Sequence, residues 1–476
     1  MVYKMILTSK HKNHKNYKHL LVREGIISTL AYQPAINHQL RDVKKDFGIF
    51  FTPERIVDFM VGLVDTTRLT EKRNVNILEP ACGLAQFLIG VKRNHPALYR
   101  NSTTTGVEVN DDIIDYLTDL KVTDDIKIIR SDYLLWEPAQ RFDLIIGNPP
   151  YGIPSPSIHY SIRIDSATKE KYKNTYETWY GKYNMYGAFI EKSVKLLKPD
   201  GQLIFVIPAT FMILDDFKKL RSFLSHNGRT NIIYLGPDVF KPEADVSSVV
   251  INFSKSDNPG GLKLLEYKND KLSLIKGMPH WRGEIVRFET DYTRKIESIC
   301  SYLLGDIYEI NISPRTPEIK NNPCIIQGQP PNGNGSYLPL LNGRNLKCNR
   351  IIYENLTGCW IKKLDAKKLR GYFGMPHIVV GLGFRENGKV GAAYDEKCYP
   401  WMGDIYHLFG KSELFNNRFD LDVPKILEYL NSDYLRRYIY DTYREITYHL
   451  SITQLKNLPL PTSKEWQEIK KEIKHA

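Results

Sequence analysis

Short apolar runs alternate with amphipathic stretches from about residue 50 to residue 251. The runs are three to five residues long and bounded by polar residues, as buried strands are. We predict strands at 75–78, 105–109, 126–129, 144–146, 203–207, 232–235 and 249–251. Helical spacing of apolar residues predicts helices at 54–65, 85–92, 111–120, 186–197 and 214–226. This alternation predicts an α/β fold with a doubly wound, Rossmann-like and mostly parallel sheet.

The alternation fades beyond about residue 286. Tyr, Pro, Gly and Asn become frequent there, with short strand-like runs such as 378–380. We therefore predict a basic N-terminal extension at 1–45, an α/β domain at 46–285, and a mixed α+β, loop-rich domain at 286–476.

Asn148, Pro149, Pro150 and Tyr151 follow the apolar run 142–147, at the carboxyl end of a predicted strand. Ligands bind at that end in open α/β sheets. The Asn148 side-chain oxygen and the Pro149 carbonyl are neighbouring acceptors. They suit an exocyclic amine, whose two hydrogens they would hold while its nitrogen attacks a methyl group. Two prolines stiffen the turn, and Tyr151 offers a face for stacking. The alternative interpretation of these four residues is an ordinary polar turn that follows a strand.

Three earlier strand ends carry acids. The first runs into Glu79 and then small residues, which let a ligand approach the backbone closely. Glu108 ends the second, where a carboxylate can bridge two ribose hydroxyls. At the end of the third strand, Asp132 could accept a hydrogen bond from an adenine amino group, while Tyr133 packs on the ring. Each acid alone is also explained as a helix cap. Their order and spacing favour a nucleoside cofactor.

The charge of the chain indicates a polyanionic binding partner. The 476 residues carry a net charge of +12, which favours nucleic acid. Six Lys/Arg and no acid occur in residues 1–23, and eight Lys/Arg against two acids occur in 344–370. Each cluster is also explained as a solvated segment. The six cysteines form no Cys-x-x-Cys pair, so neither a metal site nor disulfides are expected. The early apolar run 5–7 is too short for a signal or membrane segment, so we expect a cytoplasmic protein.

On these residues the chain resembles the amino-group DNA methyltransferases of the gamma arrangement, in particular the TaqI-type adenine-N6 methyltransferases of type II restriction-modification systems. The resemblance covers most of the chain from about residue 50 onward. The matching stretches are Thr52-Pro53-Glu54, 78–82, Asp132 with 134–138, 147–152, 181–184 with 186–189, and 343–346.

The resemblance implies a role for each matching position. The residues implied to contact S-adenosylmethionine are Thr52, Glu79, Pro80, Ala81, Cys82, Glu108, Asp132, Tyr133 and Pro150. Asn148 and Pro149 would hold the adenine N6, and Tyr151 would stack on the flipped base. Phe240 occupies the position of an aromatic on the opposite face, although a core aromatic is the alternative. Residues 286–476 would recognise the DNA target, with Arg315 as a DNA contact.

The sequence departs from the family pattern in three places. Many relatives show Gly-x-Gly where this chain has Gly83-Leu84-Ala85, which tightens the methionine pocket at Ala85. The missing Gly-x-Gly-x-x-Gly also makes a NAD-type site a poorer fit. The loop after Phe240 is longer and contains Pro242, so its DNA contacts stay unassigned. The extension at 1–45 exceeds the family pattern, and its role stays open.

The expected reaction is methylation of an adenine that is extruded from double-stranded DNA. Cytosine-N4 methylation uses closely related turns, more often with Ser first. Glutamine-amide methyltransferases of release factors share the turn but lack a large basic C-terminal domain. A non-catalytic DNA-binding modification subunit is disfavoured by the intact Asn148 turn. The short N-terminal arm leaves no room for a nuclease domain, so we expect any cognate restriction endonuclease to be a separate protein, and the methyltransferase to act as a monomer.

Overall fold

The computed structural model describes residues 52–118, 123–156, 162–241, 246–315, 318–319, 321–328, 336–369, 372, 374–384, 388–411, 422–447 and 449–473. The predicted extension at 1–45 and Pro242 lie outside these ranges, as does Arg370 of the second basic cluster. The described residues form two compact units. The first runs to Met212 and from Asp216 to Ile285, and the second contains 213–215 and the residues from Val286 onward.

A nine-stranded sheet forms the centre of the first unit. Its strands are β1 (Val75–Pro80), β2 (Ser102–Glu108), β3 (Lys127–Arg130), β4 (Phe142–Gly147), β5 (Leu197–Pro208), β6 (Gly228–Gly236), β7 (Ser248–Lys255), β8 (Leu262–Lys268) and β9 (Lys271–Met278). Their spatial order is β9-β8-β6-β7-β5-β4-β1-β2-β3. All residues of β4 are buried, which agrees with its continuous apolar run, since central strands of parallel sheets are covered on both faces.

The sheet is mostly parallel, and the α/β prediction is confirmed. Strands β3, β2, β1, β4 and β5 pair in parallel, whereas β7 lies antiparallel between β5 and β6, and β9 pairs antiparallel with β8. The chain runs outward from β1 through β2 to β3 and returns to β4 on the other side of β1. This reversal of strand order opens a crevice at the carboxyl ends of β1 and β4.

Five of the eight helices described in the first unit lie at predicted positions. The eight helices are α1 (Glu54–Gly62), α2 (Thr66–Thr70), α3 (Gln86–Asn94), α4 (Pro96–Arg100), α5 (Asp111–Thr118), α6 (Ser166–Thr175), α7 (Met185–Leu196) and α8 (Lys218–Asn227). The predicted helix at 214–226 begins instead with the 3-10 turn Asp215–Phe217 and becomes an α-helix at Lys218. Helices α2, α4 and α6 were not predicted from the sequence.

The second unit contains short strands and helices, as the composition indicates. Its main strands are β10 (Tyr308–Ile312), β11 (Ile325–Gln327), β12 (Tyr337–Pro339), β13 (Cys359–Lys362), β14 (His377–Gly381), β15 (Ala392–Asp395) and β16 (Ile405–Gly410). They form an antiparallel sheet in the order β10-β16-β14-β15 and another in the order β11-β13-β12. The helices are α9 (Asp291–Ile299), α10 (Leu304–Ile307), α11 (Lys363–Ala366), α12 (Val423–Leu430), α13 (Asp433–Tyr443), α14 (Ile452–Lys456) and α15 (Ser463–Glu472).

Two buried histidines join β14 and β16 across the first of these sheets. His377 Nε2 and His407 Nδ1 are 2.7 Å apart, and His407 Nε2 lies 2.7 Å from the Ser313 hydroxyl. His377 Nδ1 lies 2.6 Å from the carbonyl oxygen of Met375. Burial lowers the pKa of His407 to about 3, so at neutral pH this imidazole is uncharged.

Within the part of the chain that the structure describes, the helices are too short or too polar to cross a membrane.

Helices α1 and α3 pack closely at Gly90, and this contact generates a stability prediction. A Cβ on Gly90 would lie 2.9 Å from Val57 Cγ1 and 3.2 Å from Val61 Cγ2. Because valine side chains are stiff, we expect Gly90→Ala to lower the free energy of unfolding by about 1 kcal/mol or more. The matched control is Gly62→Ala, where the same atom meets nothing within 4 Å. Urea unfolding checks both; a Gly90→Ala protein as stable as the control would contradict the packing argument.

Candidate functional site

The turn that follows β1 places backbone N–H groups at the crevice. Ala81, Gly83 and Ala85 have φ angles of 51°, 50° and 56°, in the left-handed region that disfavours residues other than glycine. The Cys82 N–H donates to the Val107 carbonyl at 2.9 Å and so continues the pairing of β1 with β2. The turn therefore brings small residues to the strand end, as the sequence predicts, but with two alanines in strained conformations.

Glu108, at the end of β2, holds this turn from the side. Its carboxylate accepts N–H groups from Gly83, Val109 and Asn110, each at 2.9 Å. Burial raises the pKa of Glu108, and these backbone bonds oppose the rise. A carboxylate has about four acceptor positions, so the three bonds fix its orientation and leave capacity for a ligand hydroxyl.

Glu79, near the end of β1, contacts the first turn of α3. Its oxygens accept the N–H of Leu88 at 3.0 Å and, more weakly, that of Phe87 at 3.4 Å. These donors belong to the N-terminal turn of a helix, where N–H groups lack partners within the helix. Burial raises the pKa of Glu79 to about 8, and Glu108 adds to the rise. The carboxyl is therefore largely protonated at neutral pH in the free protein.

Asp132 and Tyr133 follow β3. Asp132 Oδ1 accepts the Leu134 N–H at 2.9 Å, and Oδ2 accepts the Tyr172 hydroxyl at 2.5 Å. The Tyr133 hydroxyl lies 2.9 Å from Ser193 Oγ on α7, and its ring packs at 4.9 Å from that of Phe189. Both side chains are thus held by helices that come later in the chain.

Asn148 begins the turn after β4. Its Nδ2 donates to Thr52 Oγ1 at 3.0 Å, which directs Oδ1, the acceptor atom, away from Thr52. The turn is held from outside: the Gly152 N–H donates to Asn184 Oδ1 at 2.9 Å, and the Gly152 carbonyl accepts the Met185 N–H at 2.8 Å. Asn184 lies in the matching stretch 181–184, but no role was predicted for it.

Tyr151 and Phe240 lie together beside this turn, both buried. Their ring centroids are 5.9 Å apart and the rings are inclined at 82°, an edge-to-face contact. The Tyr151 hydroxyl donates to the Val206 carbonyl at 2.9 Å. The two rings therefore do not face each other across a slot, and a base could enter between two opposed faces only if one ring turned.

All but one of the predicted cofactor residues line one cavity of about 1050 Å³, a volume that includes the space open to solvent. Those that line it are Thr52, Glu79, Ala81, Cys82, Glu108, Asp132, Tyr133 and Pro150, together with Asn148. Pro80, Pro149, Tyr151 and Phe240 are not among the lining residues.

Some walls of the cavity were not predicted. The segment that leads into α6 contributes Ile162, Arg163 and Ile164, α6 itself contributes Tyr172, and α7 contributes Met185 and Phe189. The sequence signal for Tyr172 is slight: it is an aromatic residue in a mostly polar helix, four residues before Tyr176.

Arg315 belongs to the second unit and is exposed. Its N–H donates to Glu318 Oε1 at 3.1 Å, and its carbonyl accepts the N–H groups of Glu318 and Ile319. The backbone at Arg315 is thus held in a turn, with its side chain open to solvent.

The acceptors of the cavity match S-adenosylmethionine chemically. Its ammonium group, ribose hydroxyls and adenine amino group are donors, and its sulfonium is a cation, whereas Glu79, Glu108 and Asp132 are acceptors. The described residues contain no cluster of three or more His, Cys, Asp or Glu arranged to hold a metal ion.

Comparisons with known proteins identify the family of this chain. Residues 68–240 match the Eco57I restriction-modification methylase family, and 338–460 match the TaqI-like C-terminal specificity domain. The chain is 41% identical to the type II methyltransferase M.TthHB8I of Thermus thermophilus, over 87% of this chain and 91% of that protein. It is 30% identical to M.HincII of Haemophilus influenzae, over 49% of this chain and 42% of that protein.

One solved structure shares the fold over most of the chain. The ATP-dependent type ISP restriction-modification enzyme LlaBIII, bound to DNA, aligns with a TM-score of 0.54 over 94% of this chain and 41% of that one. At 12% identity this likeness concerns the fold alone.

The raised pKa of Glu79 generates a prediction about pH and stability. Below about pH 4.5 the carboxyl is protonated in both the folded and the unfolded state, so it has no effect. Between that pH and about 8 it ionises only in the unfolded state, and the folded state loses stability at up to ~1.4 kcal/mol per pH unit. We therefore expect Glu79→Gln to gain stability relative to the wild type as the pH rises through this window.

Urea unfolding between pH 5 and pH 9 measures this difference. The control is Glu71→Gln, the same substitution at an exposed position, which reports the general effect of removing a carboxyl group. A difference between Glu79→Gln and the wild type that stays constant with pH would show that Glu79 is ionised in the folded protein throughout.

Proposed function

This chain belongs to the type II DNA methyltransferases, enzymes of restriction-modification systems that use S-adenosylmethionine, and we propose that it methylates the N6 amino group of adenine in a short motif of double-stranded DNA. The observation that carries the proposal is the orientation of Asn148. Its Nδ2 donates to Thr52 Oγ1, and this bond orients Oδ1 as the atom that would accept from a substrate amine.

The reaction needs two acceptors beside one nitrogen. Asn148 Oδ1 and the Pro149 carbonyl would accept the two amino hydrogens, and the positive charge that develops on nitrogen strengthens both bonds. The rigid turn, held at Gly152 by Asn184 and Met185, supplies orientation before the reaction begins.

The cavity residues hold the methyl donor. Glu108 would accept from the ribose, Asp132 from the adenine amino group, and Glu79 would face the methionine ammonium. The sulfonium supplies an already activated methyl group, so the protein contributes positioning and acceptors.

The target base must leave the duplex to reach this turn, at a cost of a few kcal/mol. Stacking on an aromatic side chain contributes about 1–3 kcal/mol per base, so Tyr151 and Phe240 would together offset most of that cost. Their present edge-to-face contact is compatible with this role if Phe240 turns when the base enters.

Host protection belongs to the same proposal. Methylation would shield the cell's DNA from a cognate restriction endonuclease carried on a separate chain, and the methyltransferase would act as a monomer that treats each strand in turn. Arg315, exposed in the second unit, would contact the DNA. The alternative is cytosine-N4 methylation, whose amine needs the same two acceptors. The first experiment distinguishes it from adenine-N6 methylation.

We expect Asn148→Ala to abolish methyl transfer, because one of the two acceptors is lost, while binding of S-adenosylhomocysteine and DNA stays close to the wild type. The assay follows labelled methyl from S-adenosylmethionine into unmethylated genomic DNA, with sequencing of the modified bases. N6-methyladenine within one motif would support the proposal. N4-methylcytosine would favour the alternative, and near-normal transfer by Asn148→Ala would refute the catalytic role.

A second prediction concerns Phe240. Replacing it by Leu removes a stacking face, so kcat/KM should fall about tenfold on a paired duplex. The loss should be smaller when the target adenine lies opposite an abasic site, because extrusion then costs less. Phe59→Leu, which removes a ring stacked on Tyr267 at 3.8 Å, is the matched control and should affect both duplexes equally. Equal losses for Phe240→Leu would argue for a purely structural ring.

A further inference from the structure

The turn after β3, which carries Asp132, is clamped by two tyrosines. The Tyr172 hydroxyl donates to Asp132 Oδ2 at 2.5 Å, and the Tyr176 hydroxyl donates to the Leu134 carbonyl at 2.6 Å. Both tyrosines are buried. They are four residues apart, so their side chains leave the same face of the chain at the end of α6.

Helix α6 is fixed at its start as well. The Asp165 side chain accepts the Thr168 N–H at 2.8 Å and caps the helix. The segment just before it, Ile162 to Ile164, lines the same cavity as Tyr172. The helix thus brings Tyr172 to the cavity wall from a part of the chain that follows the Asn148 turn.

We infer that Tyr172 is a positioning residue that orients the Asp132 carboxylate and thereby makes the cofactor pocket selective for a 6-aminopurine. The inference rests on the proposed role of Asp132 as the acceptor for the adenine amino group. Tyr172 itself lines the cavity, but its hydroxyl acts through Asp132.

The two bonds to Asp132 divide its acceptor capacity. The Leu134 N–H takes a position on Oδ1, and the Tyr172 hydroxyl takes a position on Oδ2, which fixes the plane of the carboxylate. Two acceptor positions stay available for a donor. An amino group at purine C6 donates to them, whereas a 6-oxo group presents an acceptor and meets an acceptor. A buried polar group held in one orientation rejects such a mismatched analogue strongly.

Tyr176 provides a matched control within the same turn. Its hydroxyl holds the Leu134 carbonyl, which also accepts from Lys192 Nζ at 3.1 Å. Loss of that hydroxyl removes a buried hydrogen bond of the turn without touching the carboxylate. Tyr172→Phe and Tyr176→Phe therefore make the same chemical change at neighbouring positions, with only the first reaching Asp132.

The test measures equilibrium binding of S-adenosylhomocysteine and S-inosylhomocysteine to the full-length protein by calorimetry. We expect Tyr172→Phe to weaken binding of the adenosyl compound by about tenfold, the effect of losing one hydrogen bond to a charged group, and to leave the inosyl compound nearly unchanged. The adenosyl preference then falls about tenfold. Tyr176→Phe should lower the melting temperature and keep the preference.

Asp132→Asn separates this inference from the function on which it rests. If Asp132 receives the amino group, this variant loses the adenosyl preference. A preserved preference in Asp132→Asn would overturn the role of Asp132 and the inference with it. Two outcomes would overturn the inference alone. In the first, Asp132→Asn loses the adenosyl preference but Tyr172→Phe keeps it in full. In the second, Tyr172→Phe and Tyr176→Phe lose the preference equally.

Discussion

Two buried glutamate side chains fix the main chain where β1 and β2 end, and the geometry of the site depends on them. Glu108 joins Gly83, in the turn after β1, to its own strand end, and Glu79 ties β1 to the first turn of α3. Leaving such buried N–H groups without acceptors would cost about 1–3 kcal/mol each. These bonds also offset the left-handed conformations of Ala81 and Ala85.

Much of this site could be predicted because its signals are local. An acid or Asn148 directly after an apolar run falls at a strand end, and parallel strands bring their ends to one edge. The wall formed by α6 could not be predicted in this way. Its helix is mostly polar and shows no clear apolar face, and the contact of Tyr172 with Asp132 joins residues 40 positions apart. The edge-to-face packing of Tyr151 against Phe240 likewise depends on tertiary contacts.

In the second unit, too, local features could be predicted from the sequence and tertiary contacts could not. Its mixture of short strands and turns follows from composition, but its buried polar contacts do not. Asp395, fully buried, accepts from Tyr353, Cys398 and Trp401. The Met375 carbonyl can only accept a hydrogen bond, so His377 must carry its proton on Nδ1. His377 Nε2 then accepts from His407 Nδ1. His407 Nε2 in turn accepts from the Ser313 hydroxyl. The direction of donation is thus set along the whole chain of bonds.

The acids of the cavity also bear on how the reaction cycle closes. Methyl transfer converts a sulfonium cation into a neutral thioether, while Glu79, Glu108 and Asp132 stay in the same cavity wall. On the proposed function, the oxygen acceptors of this wall stabilise the sulfonium cation more than the neutral thioether. The side chains that hold the backbone would therefore also favour exchange of spent product for fresh donor.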